Sequence, residues 1–332
     1  MRQRVVALTA AGAAALAIAG CGGGGAASTR AAATITVVSP TASSTTGSVA
    51  HTATVPAKPP APPRPKPPSY PRLLAVALGT GPTHFVPAVR IDGRTAAWIA
   101  RSASGVGLLS FDQSLVGLVL HAGTVDPGGS GWRWGPAVVG SERRRLVAAF
   151  NGGFKFSTGS GGFVSHGRVA IAPTAGLGSI VIYRDGYTDI GAWHAGVPAP
   201  GRPVASVRQN LSLLIDHGLA ASNLDCLSCW GATLGGVVAP ARSALGVTAD
   251  GRLIWAGGEH LTVSQLAGAL RAARVVRAVQ LDINPAWVAG YLYGHRGGHG
   301  PLAPVPVAPG QVGVSGFFLV PYSRDFFTVI AR

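Results

Sequence analysis

Val147-Ala148-Ala149-Phe150-Asn151-Gly152-Gly153-Phe154 is the stretch whose reading decides the fold. From Leu146 to Phe150 every side chain is apolar, as expected of a strand buried on both faces. Asn151 stands where the run ends, and the paired glycines after it let backbone amides come close to a ligand. A second part of the chain has the same design. Arg242-Ser243-Ala244-Leu245-Gly246-Val247 opens with a cation at the head of an apolar strand. Val275 to Leu281 is a largely apolar run that ends in Asp282-Ile283-Asn284-Pro285.

Singly, these are modest signals. Asn-Gly is a common turn pair, a lone arginine at a strand end is commonly solvated, and aspartate often caps loop amides. Together they suggest chemistry. Arg242 can clamp a phosphate oxygen with parallel donors, and Asn151 can orient a sugar hydroxyl or phosphate oxygen. Asp282 can serve as general base or acid, or bind a cation. Asn284 lies two residues on, so it shares a side with Asp282 if the chain stays extended. Trp287 offers a stacking face for a sugar ring or a core side chain. His166 and His260 can move protons. If a second carboxylate is needed, Glu259 and Asp250 are nearest in sequence, with Glu259 reading better as a helix-start charge.

Outward from these segments the chain reads as short strands with turn signals between them. Asp92-Gly93, Asp185-Gly186 and Asp250-Gly251 each separate two apolar runs, the strongest short-range hairpin signal. One helix stands out. Thr262 and Gln265 form a capping box, and Val263, Leu266, Ala267, Leu270 and Ala273 recur at helical spacing up to about Arg274. Gly313 to Val320 and Phe326 to Ile330 read as closing strands. The glycine- and proline-rich stretches 126–135 and 294–309 read as loops, the latter carrying His295 and His299. The expected class is α+β: mixed or antiparallel sheets with few helices, in a single domain over residues 70–332.

Residues 1–20 read as a secretory signal of lipoprotein type. Arg2 and Arg4 precede an uncharged, alanine-rich run, and Ile18-Ala19-Gly20 leads to Cys21, the expected lipidation site. Residues 21–69 are rich in Gly, Ser, Thr and then Pro, with no acidic residue before Asp92. That composition buries too little apolar surface to offset chain entropy and is expected to act as a tether. The protein is therefore expected outside the cell, lipid-anchored to the membrane and facing the cell wall or the exterior.

The formal charge is +15, and six of the basic residues precede residue 70. The rest stays basic, almost wholly through arginine, with Lys155 its sole lysine. Such a surplus favours acidic or phosphate-bearing partners. No basic cluster interleaves with aromatics, so nucleic acid is not the expected partner. Cys226 and Cys229, two residues apart in an exported chain, are expected to form a local disulfide. A redox motif would be followed by a helix, but Gly231 follows Trp230. No second cysteine pair completes a zinc site, and His295 and His299 share one glycine-rich loop, so no cofactor is expected. A divalent metal stays the open alternative.

From about Leu146 to Leu319 the chain resembles the phosphodiester glycosidase family. That family's Asn-Gly-Gly-Phe element is matched by Asn151 to Phe154, and its Arg-Thr-Ala-Ile-Gly-type strand by Arg242 to Gly246. An Asp-Gly hairpin and an amphipathic helix follow in the same order. The family's Leu-Asp-Gly-Gly-Gly-Ser-Ser element falls at Leu281-Asp282, where Ile283-Asn284-Pro285-Ala286-Trp287 replaces the glycines and serines. The resemblance implies hydrolysis of a sugar–phosphate diester or a related glycosidic bond in envelope or extracellular glycans. Asp282, Asn151 and Arg242 would be catalytic. Gly152, Gly153, Asn284, Trp287 and His166 would contact a carbohydrate or sugar-phosphate substrate. Loss of the glycine turn leaves a second reading, a non-catalytic glycan-binding lipoprotein on the same fold.

Overall fold

In the computed structural model, strands form wherever short apolar runs are closed by tight turns, and the three Asp-Gly pairs all sit in antiparallel hairpins. Val86–Ile91 pairs with Arg94–Arg101, Gly178–Tyr183 with Thr188–Ala192, and Arg242–Thr248 with Leu253–Gly258. The structure describes residues 69–76, 84–231, 236–311, 313 and 316–332. The signal segment, Cys21 and the tether up to residue 68 lie outside them.

The α+β expectation is overturned. Among the described residues nineteen strands stand against two α-helices, of 6 and 10 residues. The molecule is largely β, built on one mixed 14-stranded sheet and one 5-stranded antiparallel sheet. The reason is local. Apart from Val263–Ala272 and the short Gly140–Arg145, turns interrupt the apolar runs before a 3.6-residue period can repeat. The sheet is mixed because Arg72–Leu73 runs parallel to Gly290–Arg296.

Two smaller expectations also change. Residues 316–319 form turns rather than a closing strand. The 294–309 stretch is mostly a hairpin, Gly290–Arg296 against Leu302–Pro306. Proline is accommodated there because Leu302–Pro306 pairs on one side only, so its missing N–H groups cost no ladder bond.

Period-two alternation sorts side chains between layers. Leu245, Val247, Leu253 and Trp255 point into a core shared with Phe163, Ile180 and Ile182 of the smaller sheet. Ala244, Ile254 and Ala256 point the other way, onto Leu266, Ala267 and Leu270 of the helix. That helix is held at its start by the capping box, Thr262 accepting from Gln265 N at 3.1 Å and Gln265 Oε1 from Thr262 N at 2.9 Å. Such a cap stabilises by about 1 kcal/mol.

Along the large sheet, Leu146–Asn151 and Arg242–Thr248 are separated by six intervening strands. Yet Asn151 Nδ2 donates to Ser243 Oγ at 2.9 Å, and Asp282 N donates to Gly152 O at 3.2 Å. The sheet therefore curls until distant strands meet, and the two motif-bearing segments close on each other at one end.

Candidate functional site

The meeting point is a layered set of polar side chains. Asn151 is 1 % exposed. Its Nδ2 donates to Ser243 Oγ and, at 3.1 Å, to Gly152 O, while its Oδ1 accepts from Ala289 N at 3.4 Å. Ser243 Oγ donates in turn to Asp282 O at 3.1 Å. Both amide hydrogens of Asn151 are thereby used inside the protein. It braces the Asp282 loop rather than presenting donors to a ligand.

Gly152 and Gly153 are also turned inward. Gly152 N donates to Asp325 O at 3.0 Å, Gly153 N to Asp325 Oδ2 at 3.1 Å, and Phe154 N to Asn210 Oδ1 at 3.1 Å. The anion facing the Gly153 amide is the protein's own Asp325, whose carboxylate also takes Arg208 Nε at 2.8 Å and Nη2 at 3.2 Å. The glycines are required by close approach. A Cβ on Gly152 would lie 2.1 Å from Asp325 Oδ2, and one on Gly153 would lie 2.5 Å from the Arg208 guanidinium carbon.

Arg242 corrects the expectation of a phosphate clamp. It is fully buried and donates to Leu261 O at 2.9 Å, Trp230 O at 3.2 Å and Gln280 Oε1 at 2.9 Å. Burial pulls its pKa down to about 10. Trp230 O also accepts from Gln280 Nε2 at 2.8 Å, at the end of the 3-10 turn Leu227–Trp230. Cys226 and Cys229 are bonded to each other across that turn. Arg242 thus ties the turn to the head of its strand and to the loop before the helix.

Asp282 lies at the lip of a cleft of about 480 Å³. Its Oδ1 accepts from Ile283 N at 2.7 Å and Asn284 N at 3.0 Å, and its Oδ2 from Arg324 Nη2 at 3.1 Å. Burial pushes its carboxyl above the ordinary range, while Arg324 and the two amides pull it back. Asn284, Trp287, Lys155, Glu259 and His260 line the same cleft. The Trp287 ring has Lys155 Nζ and the Arg324 guanidinium carbon each 4.6 Å from its centre.

Arg324 and Lys155 were not legible as site residues. Arg324 also donates to Gly153 O at 2.9 Å and pairs with Asp126. A signal was present: Arg324-Asp325 puts two charges directly before the apolar strand Phe326–Ala331, the same pattern that marks Arg242. Glu259 proves to be a cleft residue. It stands outside the helix, whose N-cap is Thr262. Asp250 instead sits in the Thr248–Arg252 turn, bonded to Thr248 and ion-paired with Arg252.

His166 is not brought to the cleft. It sits at φ 50° in the turn between Phe163–Ser165 and Arg168–Ile171, with its ring centre 6.4 Å from that of Trp134. Burial and the nearby Arg133 and Arg184 lower its pKa. His295 is held in its strand by Gly300 O and Arg144 O. Among the described residues no three His, Cys, Asp or Glu side chains converge as a metal site would require.

No protein-family model matches the sequence, and no curated protein matches it by sequence. Several solved structures resemble it distantly. One is the catalytic domain of zebrafish N-acetylglucosamine-1-phosphodiester alpha-N-acetylglucosaminidase, auto-inhibited by its pro-peptide, at 18% identity and a TM-score of 0.44 over 75% of this chain and 81% of that one. A hypothetical protein from Synechocystis matches at 14% identity and a TM-score of 0.40, over 76% and 64% of the two chains. A protein from Burkholderia pseudomallei matches at 14% identity and a TM-score of 0.24, over 79% and 65%. At these scores, what the cleft can do follows from its own side chains.

Proposed function

We propose that the protein is a glycosidase-type hydrolase that cleaves a sugar-phosphodiester or related glycosidic bond in cell-envelope or extracellular glycans. The observation that carries this reading is Asp282, a buried carboxylate with three donors fixing its two oxygens, at the lip of a cleft beside Trp287. Burial makes the carboxylate a stronger base, and the fixed donors hold it in one orientation. In the reaction, Asp282 takes a proton from water, the water oxygen bonds to the anomeric carbon, and the bond to the leaving oxygen breaks. Trp287 gives a sugar ring an aromatic face, and Lys155 gives a substrate anion its counter-charge. Asn151 acts by positioning the Asp282 loop. Lipid on Cys21 would hold the chain at the membrane, facing outward.

A second reading has a specific observation behind it. Asp282 Oδ1 caps the amides of its own loop, which a purely structural aspartate would also do. The protein would then be a non-catalytic glycan-binding lipoprotein. Turnover of envelope glycans and sugar-1-phosphodiesters by the full chain, lost in Asp282→Ala while glycan binding persists, supports the hydrolase. Wild-type binding without turnover of any fraction supports the binding module.

A further inference from the structure

Asp282 is not the only acid in the cleft. Glu259 lines it too, following the strand Leu253–Gly258. Its stem packs on Gly310, where an added Cβ would lie 2.8 Å from Glu259 Cγ. One carboxyl oxygen, Oε1, is buried and has no hydrogen-bond partner among the described residues. Among the described residues, the charged or titratable side chains sharing the cleft are Lys155, His260 and Asp282, and none forms an ion pair with Glu259. Asp282 is the opposite case, with donors on both oxygens. An oxygen surrounded by donors favours the ionised form, and a buried one without donors favours the protonated form. Burial accordingly pushes the Glu259 carboxyl up, with His260 opposing. Two carboxyls in one cleft with contrasting environments divide into a base and an acid.

We propose that Glu259 is the acid of the cleft, giving its proton to the leaving oxygen, and that the leaving group is therefore a sugar hydroxyl rather than a phosphate. This rests on the hydrolase reading above and narrows its substrate class. The balance is simple. Asp282 gains the proton lost by water, the new C–O bond forms at the anomeric carbon, and the electron pair of the broken bond takes the Glu259 proton. Solvent exchange then resets both groups. A phosphomonoester departs as a stable anion without a proton, whereas an alcohol does not. The cleft's equipment for anions is correspondingly thin. Arg242 is internal, the Gly152 and Gly153 amides face Asp325, and Lys155 and His260 are the basic side chains lining the cleft.

The test has two arms on the full chain. In the first, glycosides of glucose, N-acetylglucosamine and mannose carrying para-nitrophenol, methanol or methyl phosphate as leaving group are compared in wild type and Glu259→Gln. The loss in kcat/KM for methyl glycosides should be on the order of 100- to 10,000-fold, and much smaller for para-nitrophenyl glycosides. Equal losses on all leaving groups, or wild-type cleavage of methyl phosphodiesters alone, overturn the proposal while leaving the hydrolase intact. The second arm needs no turnover. Glu142 and Glu259 are the only glutamates in the sequence, so carbon-13 labelling of glutamate gives two carboxyl signals. The signal lost in Glu259→Gln should titrate above 4.5, the ordinary value. Titration at or below it overturns the proposal even if no substrate is found. Absence of turnover with a raised titration removes the hydrolase reading but upholds the protonated Glu259.

Discussion

Arg324 and Asp282, 42 residues apart in the chain, are joined by a 3.1 Å hydrogen bond beneath the Trp287 ring. Arg324 lies just before the last strand, and Asp282 just after Val275–Gln280. The same guanidinium holds Gly153 O and pairs with Asp126. One cation thus links the Asn-Gly-Gly turn, the 126–135 loop and the cleft carboxylate.

That relationship predicts a displaced acid limb. Arg324 lowers the Asp282 pKa against the opposing effect of burial, so its removal raises that pKa further. In Arg324→Gln the acid limb of kcat/KM is expected to move upward by about one pH unit or more. An unmoved limb at wild-type turnover would separate Asp282 from the titration that governs the rate.

Arg242→Met should act on stability rather than on substrate affinity. The guanidinium is fully buried and satisfies two carbonyls and Gln280. Leaving such buried acceptors without a donor costs about 1–3 kcal/mol, read as a lowered Tm and denaturation midpoint. A large rise in KM without loss of stability would restore Arg242 as a ligand contact.

Gly153→Ala and Gly268→Ala should have opposite signs. A Cβ on Gly153 meets Arg208 and Asn210, and overpacking of this kind costs about 1–3 kcal/mol. Gly268 lies within the helix Val263–Ala272 with open space around it, so alanine there should stabilise by about 0.5–1 kcal/mol. Urea midpoints of the two variants decide this.

The Glu259 carboxyl carries a sign in the stability–pH curve. Its folded pKa is raised, so above 4.5 the folded state binds more protons than the unfolded chain. Its contribution is present at low pH and is lost as pH rises through the folded value. Relative to wild type, Glu259→Gln should therefore gain stability between pH 4.5 and neutrality. A constant difference across that range contradicts the raised value.

Much of this molecule was legible in the residue order because the deciding physics was local. Glycine after aspartate fixed three hairpins, and Thr262 with Gln265 fixed the start of the longer helix. Unbroken apolar runs marked Leu146–Asn151 and Arg242–Thr248 as buried strands. The α+β expectation fails because, among the described residues, only Val263–Ala272 sustains a helical period beyond two turns, while turns cut the other apolar runs into strands. Polar residues stand at the ends of these strands, but their place in the sequence does not say which way they face. Only the curl of the large sheet decides that. It turns the Gly152 and Gly153 amides onto Asp325, encloses Arg242, and leaves Asp282 at the cleft. It also brings Arg324 onto that carboxylate and Glu259 and Lys155 into the same cleft. Contacts of this kind depend on long-range packing, so a local pattern can announce a buried charge without naming its partner.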